Sequence, residues 1–139
     1  MYRLTARAAF DSAHILSGYN GKCANIHGHR WVIEAAFDGC ELQQSGPQRG
    51  MLLDFGDLKK AVRALADRYD HALIYESGSL RDKTLQALHE EGFHLIELPF
   101  RPTAELLAQQ FFTALLEQGY PIMQMTVYET PENCAVYAP

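Results

Sequence analysis

The chain has 139 residues, 47% of them apolar and 21% charged, which predicts one globular domain over residues 1–139. A formal net charge of -5 argues against a nucleic-acid backbone as the main partner, and no apolar run is long enough to span a bilayer. Three irregularly placed cysteines (Cys23, Cys40, Cys134) and an N-terminus, "MYRLTARAAF", without the layout of a secretory signal set the expectation of reduced thiols and a cytoplasmic location.

In chain order, residues 2–13 alternate as a strand, with Leu4, Ala6, Ala8 and Phe10 sharing one parity. Residues 28–38 predict a second strand, with Trp31, Ile33, Ala35 and Phe37 on one face. A loop over 41–50 follows, marked by Gly-Pro and Arg-Gly. Leu58, Ala61, Val62, Leu65, Ala66 and Tyr69 form a helical stripe over 55–69, with Asp54 placed as its cap. A short helix over 79–91 and a short strand over 93–98 come next. "PFRPT" then breaks the chain before a second amphipathic helix, 103–118, with Ala104, Leu107, Ala108, Phe111, Phe112 and Leu115 on its apolar face. Two strands, 122–129 and 133–138, close a hairpin across "TPEN". Hairpins at both ends imply an α+β architecture: an antiparallel sheet with helices on one face and with edges open to self-association.

Three constellations could carry chemistry. In "CANIHGHRW" (23–31), His27 and His29 point the same way on an extended strand, and Gly28 removes bulk between them. His14 ends the first strand in the parity of Phe10, so pairing of the two strands would bring a third imidazole near. Three neutral histidines around an open position describe a catalytic zinc site. Adding Cys23 as a fourth ligand would describe a closed structural one, and the spacing allows either. The second constellation is Asp70-His71 at the end of the first long helix. It could be an acid–base pair or a helix-end histidine. The third is Glu129, which shares parity with Met123, Met125 and Val127. A carboxylate there could accept paired N–H groups from a flat heterocycle, or it could be a solvated strand end. Thr103 and Glu105 open the second long helix, where a hydroxyl and an acid are also expected as caps.

Taken together, "FDSAHIL", "CANIHGHRW", "GMLLDFGDLK", "DHALIYE", "RPTAELLA" and "VYETPENCAVY" resemble the 6-pyruvoyltetrahydropterin synthase and 6-carboxytetrahydropterin synthase family over most of the chain. The resemblance implies a tunnelling fold (T-fold), with a four-stranded antiparallel sheet and two helices on one side, assembled as a homohexamer. It implies zinc on His14, His27 and His29, Cys23 as an unligated catalytic thiol, and Asp70 and His71 as the partner acid–base dyad. Glu129 would anchor a pterin ring, with Thr103 and Glu105 near the pocket and contributed across a subunit boundary. The implied substrate is 7,8-dihydroneopterin triphosphate. Three residues separate Cys23 from the HGH motif, as in the carboxy-forming enzymes of queuosine and deazapurine biosynthesis, whose products are 6-carboxytetrahydropterin, acetaldehyde and triphosphate. A pyruvoyl-forming elimination or side-chain trimming is the alternative within the family. A non-enzymatic module with a structural Cys-His zinc is the alternative outside it. The segment 77–100 departs from compact members of the family and carries an extra short helix and strand.

Overall fold

The computed structural model describes residues 1–139. Strands β1 (Tyr2–His14) and β2 (His27–Gly39) pair antiparallel without interruption, from Tyr2↔Gly39 to His14↔His27. Helix α1 (Phe55–Tyr69) follows, started by Asp54, whose carboxylate accepts from the Gly56 amide at 2.6 Å. Then come β3 (Leu73–Glu76), α2 (Asp82–Glu90), β4 (Leu95–Leu98), α3 (Ala104–Glu117), β5 (Ile122–Tyr128) and β6 (Cys134–Tyr137).

One sheet results, ordered β4-β3-β1-β2-β5-β6. It corrects the four-stranded antiparallel expectation in two respects. The sheet has six strands, and β3 runs parallel to both β1 and β4. The physical reason lies in the extra segment. Parallel strands need a crossover, and α2 supplies it between β3 and β4. The expected extra helix and strand in 77–100 are α2 and β4, whereas β3 has only four residues and escapes a periodicity argument.

Helices α1 and α3 cover one face of the sheet, α1 over β1 and α3 over β5 and β6. The stripes of both helices meet Ala6, Ala8 and Phe10 of β1 and Trp31, Ile33, Ala35 and Phe37 of β2 in one cluster of 23 buried residues. Phe10 stacks on Trp31 with ring centroids 6.1 Å apart and meets Phe111 of α3 edge-on at 6.2 Å. The opposite face of β1 and β2 is polar and paired across the register. Arg3 meets Asp38 at 2.7 Å, Arg7 pairs with Glu34, and Arg30 meets Asp11 at 2.9 Å. In β5 the alternation breaks at a register shift opposite Ala36 and Phe37. Ile122 is buried and Met123 is about half exposed, so Met123 does not share the inward face of Met125 and Val127.

Candidate active site

The uninterrupted β1–β2 register places His14 opposite His27, and alternation puts His29 on the same face one step closer to Trp31. Their ring centroids lie 4.5 Å (His14–His27), 5.1 Å (His14–His29) and 5.0 Å (His27–His29) apart. Trp31 forms the floor, edge-on to His14 at 5.0 Å and to His29 at 5.2 Å. One nitrogen from each imidazole lies within 4.8 Å of the others.

Backbone carbonyls decide which nitrogens face inward. The Nδ1–H of His14 donates to the Pro102 carbonyl at 2.8 Å, and that of His27 to the Asn25 carbonyl at 2.7 Å. A carbonyl only accepts, so both rings carry their proton on Nδ1 and turn an Nε2 lone pair toward each other, 3.0 Å apart. Two facing lone pairs make a poor hydrogen bond and a good chelate. The Nε2 of His29 is buried without a hydrogen-bond partner, with Glu129 Oε1 3.5 Å away. Burial pushes the His14 imidazole down to about 4, and His27 and His29 add to the effect. Burial also lowers His29, against a pull upward from Glu129. Neutral rings with a free lone pair are what a divalent cation binds, so the donor set fits zinc.

Cys23 is half-buried and does not belong to the converging group. It lines a cavity of ≈ 410 Å³ with Arg101, Thr103, Glu105, Glu129 and Asn133. Cys23, Glu129, Thr103 and Glu105 therefore meet within one chain. Glu129 is the bridge, since its carboxylate stands beside His29 and also borders a neighbouring cavity of ≈ 540 Å³ with Arg7, Arg30 and Tyr128. The Thr103 hydroxyl accepts from the Leu106 amide at 3.3 Å and caps α3, and Glu105 sits in that helix's first turn.

Asp70 and His71 are brought together but set apart from the thiol. His71 Nδ1 contacts Asp70 Oδ2 at 2.8 Å, leaving its Nε2 edge exposed. The second Asp70 oxygen accepts from the Asp11 amide at 2.9 Å, and the His71 amide donates to the Asp11 carbonyl at 2.7 Å, so the pair is built into the edge of β1. These contacts hold His71 at φ 54, a left-handed conformation that costs a non-glycine residue roughly 1–2 kcal/mol. The Asp11 amide, and then His71, hold the Asp70 carboxyl below the usual range. His71 borders a third cavity with Asp11, Gly28, His29 and Arg30, which Cys23 does not line.

Sequence reasoning missed four contributors. The carbonyls of Asn25 and Pro102 carry no side-chain signal. His94 places its Nδ1 3.3 Å from the Asp70 carbonyl. Arg101 could have been singled out as a cation directly before the Pro-Thr start of α3.

Comparison with known proteins shows the family and the fold. The family model described as 6-pyruvoyl tetrahydropterin synthase matches residues 3–139. A Haemophilus influenzae protein named 6-carboxy-5,6,7,8-tetrahydropterin synthase is 35% identical over 143 residues, covering 99% of each chain. A Rickettsia bellii protein of the same name is 33% identical, covering 98% of this chain and 99% of its own. Among solved structures, an uncharacterized protein from Wolinella succinogenes superposes with a TM-score of 0.78 at 17% identity, covering 99% of this chain and 97% of its own. The 6-pyruvoyl tetrahydropterin synthase of Caenorhabditis elegans gives 0.69 at 24% identity, covering 99% and 95%. These two likenesses bear on the fold.

Proposed function

The chain belongs to the 6-pyruvoyl tetrahydropterin synthase family, and from that premise we propose that it is a zinc-dependent carbon–carbon lyase acting on 7,8-dihydroneopterin triphosphate. With water, the substrate yields 6-carboxytetrahydropterin, acetaldehyde and triphosphate, a step toward queuosine and other deazapurines. The carboxy-forming names of the relatives support this product over a pyruvoyl one. The observation that carries the reading is the continuity of the site: Glu129 joins the cavity of Cys23 to the converging imidazoles.

His14, His27 and His29 would hold the ion. A zinc ion there would supply Lewis acidity toward the substrate's side-chain hydroxyls. Glu129 accepts N–H groups of the pterin edge and fixes the ring. Thr103 and Glu105 form the wall at the start of α3. Cys23, free of the ligand set, takes a proton from the side chain. His71, with Asp70 on its Nδ1, moves a proton at its exposed Nε2. That His71 and Cys23 line different cavities within one chain supports a dyad serving a pocket completed by a neighbouring copy; a cytoplasmic homohexamer is the assembly that the family resemblance implies.

The test is incubation with 7,8-dihydroneopterin triphosphate and mass analysis of the products. Wild type is expected to release acetaldehyde. Cys23→Ala is expected to keep its metal and fold while losing turnover. A wild-type product retaining all three side-chain carbons would overturn the carboxy-forming assignment. Loss of metal and fold in Cys23→Ala would establish the closed structural site instead.

A further inference from the structure

The thiol sits on a long connection. Residues 15–26 join β1 to β2, far more chain than a tight hairpin uses, and Cys23 lies in a 3₁₀ turn, Lys22–Ala24, that buries none of its residues. Within the connection, the Leu16 amide donates to the Cys23 carbonyl at 3.1 Å, and the Tyr19 amide to the Leu16 carbonyl at 3.1 Å. Those bonds shape the loop, and His27 holds its β2 end at the Asn25 carbonyl, but none of them ties it to the segment that leads into α3.

Arg101 does. Its Nη2 donates to the Ser17 carbonyl at 2.7 Å, across 84 positions of sequence. The guanidinium also lies against Gly18, where an added Cβ would come within 3.3 Å of Nη2, and Gly18 holds φ at 77. Glycine thus permits both the turn and the close approach. Arg101 takes part in none of the chain's ion pairs, and it is the only cation bordering the Cys23 cavity. The next residue, Pro102, supplies the carbonyl that orients His14. Two consecutive residues before α3 therefore hold the thiol's loop and a member of the imidazole trio.

We propose that Arg101 is a positioning residue: by tethering Ser17, it fixes the distance between the Cys23 thiol and the imidazole group that Pro102 orients. The proposal rests on the assignment of Cys23 as the reacting thiol. A shift of about 1 Å at a reacting group is worth on the order of a hundredfold in rate, so losing the tether should reach turnover without touching substrate binding.

The test uses Arg101→Met, Arg101→Lys and Gly18→Ala in the full-length chain. Arg101→Met is expected to lower kcat by about tenfold to a hundredfold while KM stays within about threefold of wild type. Metal content and thermal midpoint should hold. Iodoacetamide should modify Cys23 about threefold faster or more, read by peptide mapping, with exposed Cys40 as the internal reference. Arg101→Lys keeps a donor for Ser17 and should recover part of the turnover. Gly18→Ala pushes the loop off an intact guanidinium and should reproduce the kcat loss and faster alkylation. A raised KM with unchanged kcat in Arg101→Met would overturn the proposal in favour of direct substrate contact. Unchanged kcat and alkylation would overturn it outright. If Cys23→Ala alone retains turnover, the thiol's catalytic role fails. The tether is then decided by alkylation of Cys23 in Arg101→Met, where an unchanged rate would reject it.

Discussion

His14 and His27 offer the same atom to the same point in space, yet they stand in different surroundings. His14 is fully buried, walled by Trp31 and bonded to a carbonyl 88 positions away. His27 is partly exposed, and its carbonyl partner lies two residues back. Truncating either should abolish metal binding, but the costs to the metal-free protein should differ. His14→Ala opens a core cavity and strands the Pro102 carbonyl, which together cost about 2–4 kcal/mol. His27→Ala should cost under about 1 kcal/mol, as for a partly exposed site. Denaturant unfolding of the two apo variants, beside metal analysis, checks this, and equal losses would contradict the burial argument. Asp70 makes a second residue-scale prediction. Its carboxyl is held below its ordinary value in the folded chain, so ionisation favours folding above the unfolded value and that contribution disappears as pH falls through the folded one. The stability gap between wild type and Asp70→Asn should be steady near neutrality and close below about pH 4. A gap that widens on acidification would reverse the sign of the argument. The convergence of His14, His27 and His29 was legible in the sequence because spacing on a strand fixes direction. The carbonyls that choose each tautomer belong to the backbone and left no trace there.

Elements inherit their stability from what they bury. Helix α1 buries six side chains and α3 five, all at the positions their apolar stripes predict. Helix α2 buries none, although its apolar residues also recur on one face, and it is held through the β3 and β4 strands at its ends. Its amides should therefore exchange with solvent through local opening, well ahead of those in α1, α3 and β2. Hydrogen exchange read by mass spectrometry would show residues 82–90 losing protection first. Slow exchange there would mean that α2's apolar face is covered by another chain. The same contrast explains which elements sequence could reveal. The long strands and amphipathic helices carry enough repeats for periodicity to speak. β3 has four residues, and its place beside β1 is set by a parallel pairing of Ala13 with Leu73 and His14 with Ile74, which no local pattern encodes. The register shift that turns Met123 outward is equally silent, because alternation assumes that every residue advances the strand by one step.

The whole molecule has an unfinished sheet. On β1, the odd-numbered residues direct their backbone groups away from β2, as the partners of Ala9, Asp11 and Ala13 reveal. Arg63 donates to the Ala9 carbonyl at 3.3 Å, Asp70 and His71 occupy Asp11, and the Ala13 amide donates to the Ala72 carbonyl at 3.0 Å. By the same alternation, Arg3, Thr5 and Arg7 present unpaired edge groups, because β3 reaches only Ala13 and His14. At the far side, β6 is a second open edge, with Val136 about half exposed. Open edges at both ends of a sheet favour head-to-tail pairing of copies, which closes into a ring when the rotation allows. The proposed sharing of the Asp70–His71 dyad with a neighbour's pocket requires such an assembly. Thr5→Pro probes this without disturbing β1–β2 pairing. It removes an amide that points outward, at an edge position where proline is tolerated. Light scattering should find wild type well above its 15.7 kDa chain mass and the variant shifted toward it. Turnover should fall with assembly, while circular dichroism and metal content hold. A monomeric Thr5→Pro with full turnover would show that one chain completes the acid–base machinery alone, and the dyad's assignment to a neighbour's pocket would be wrong.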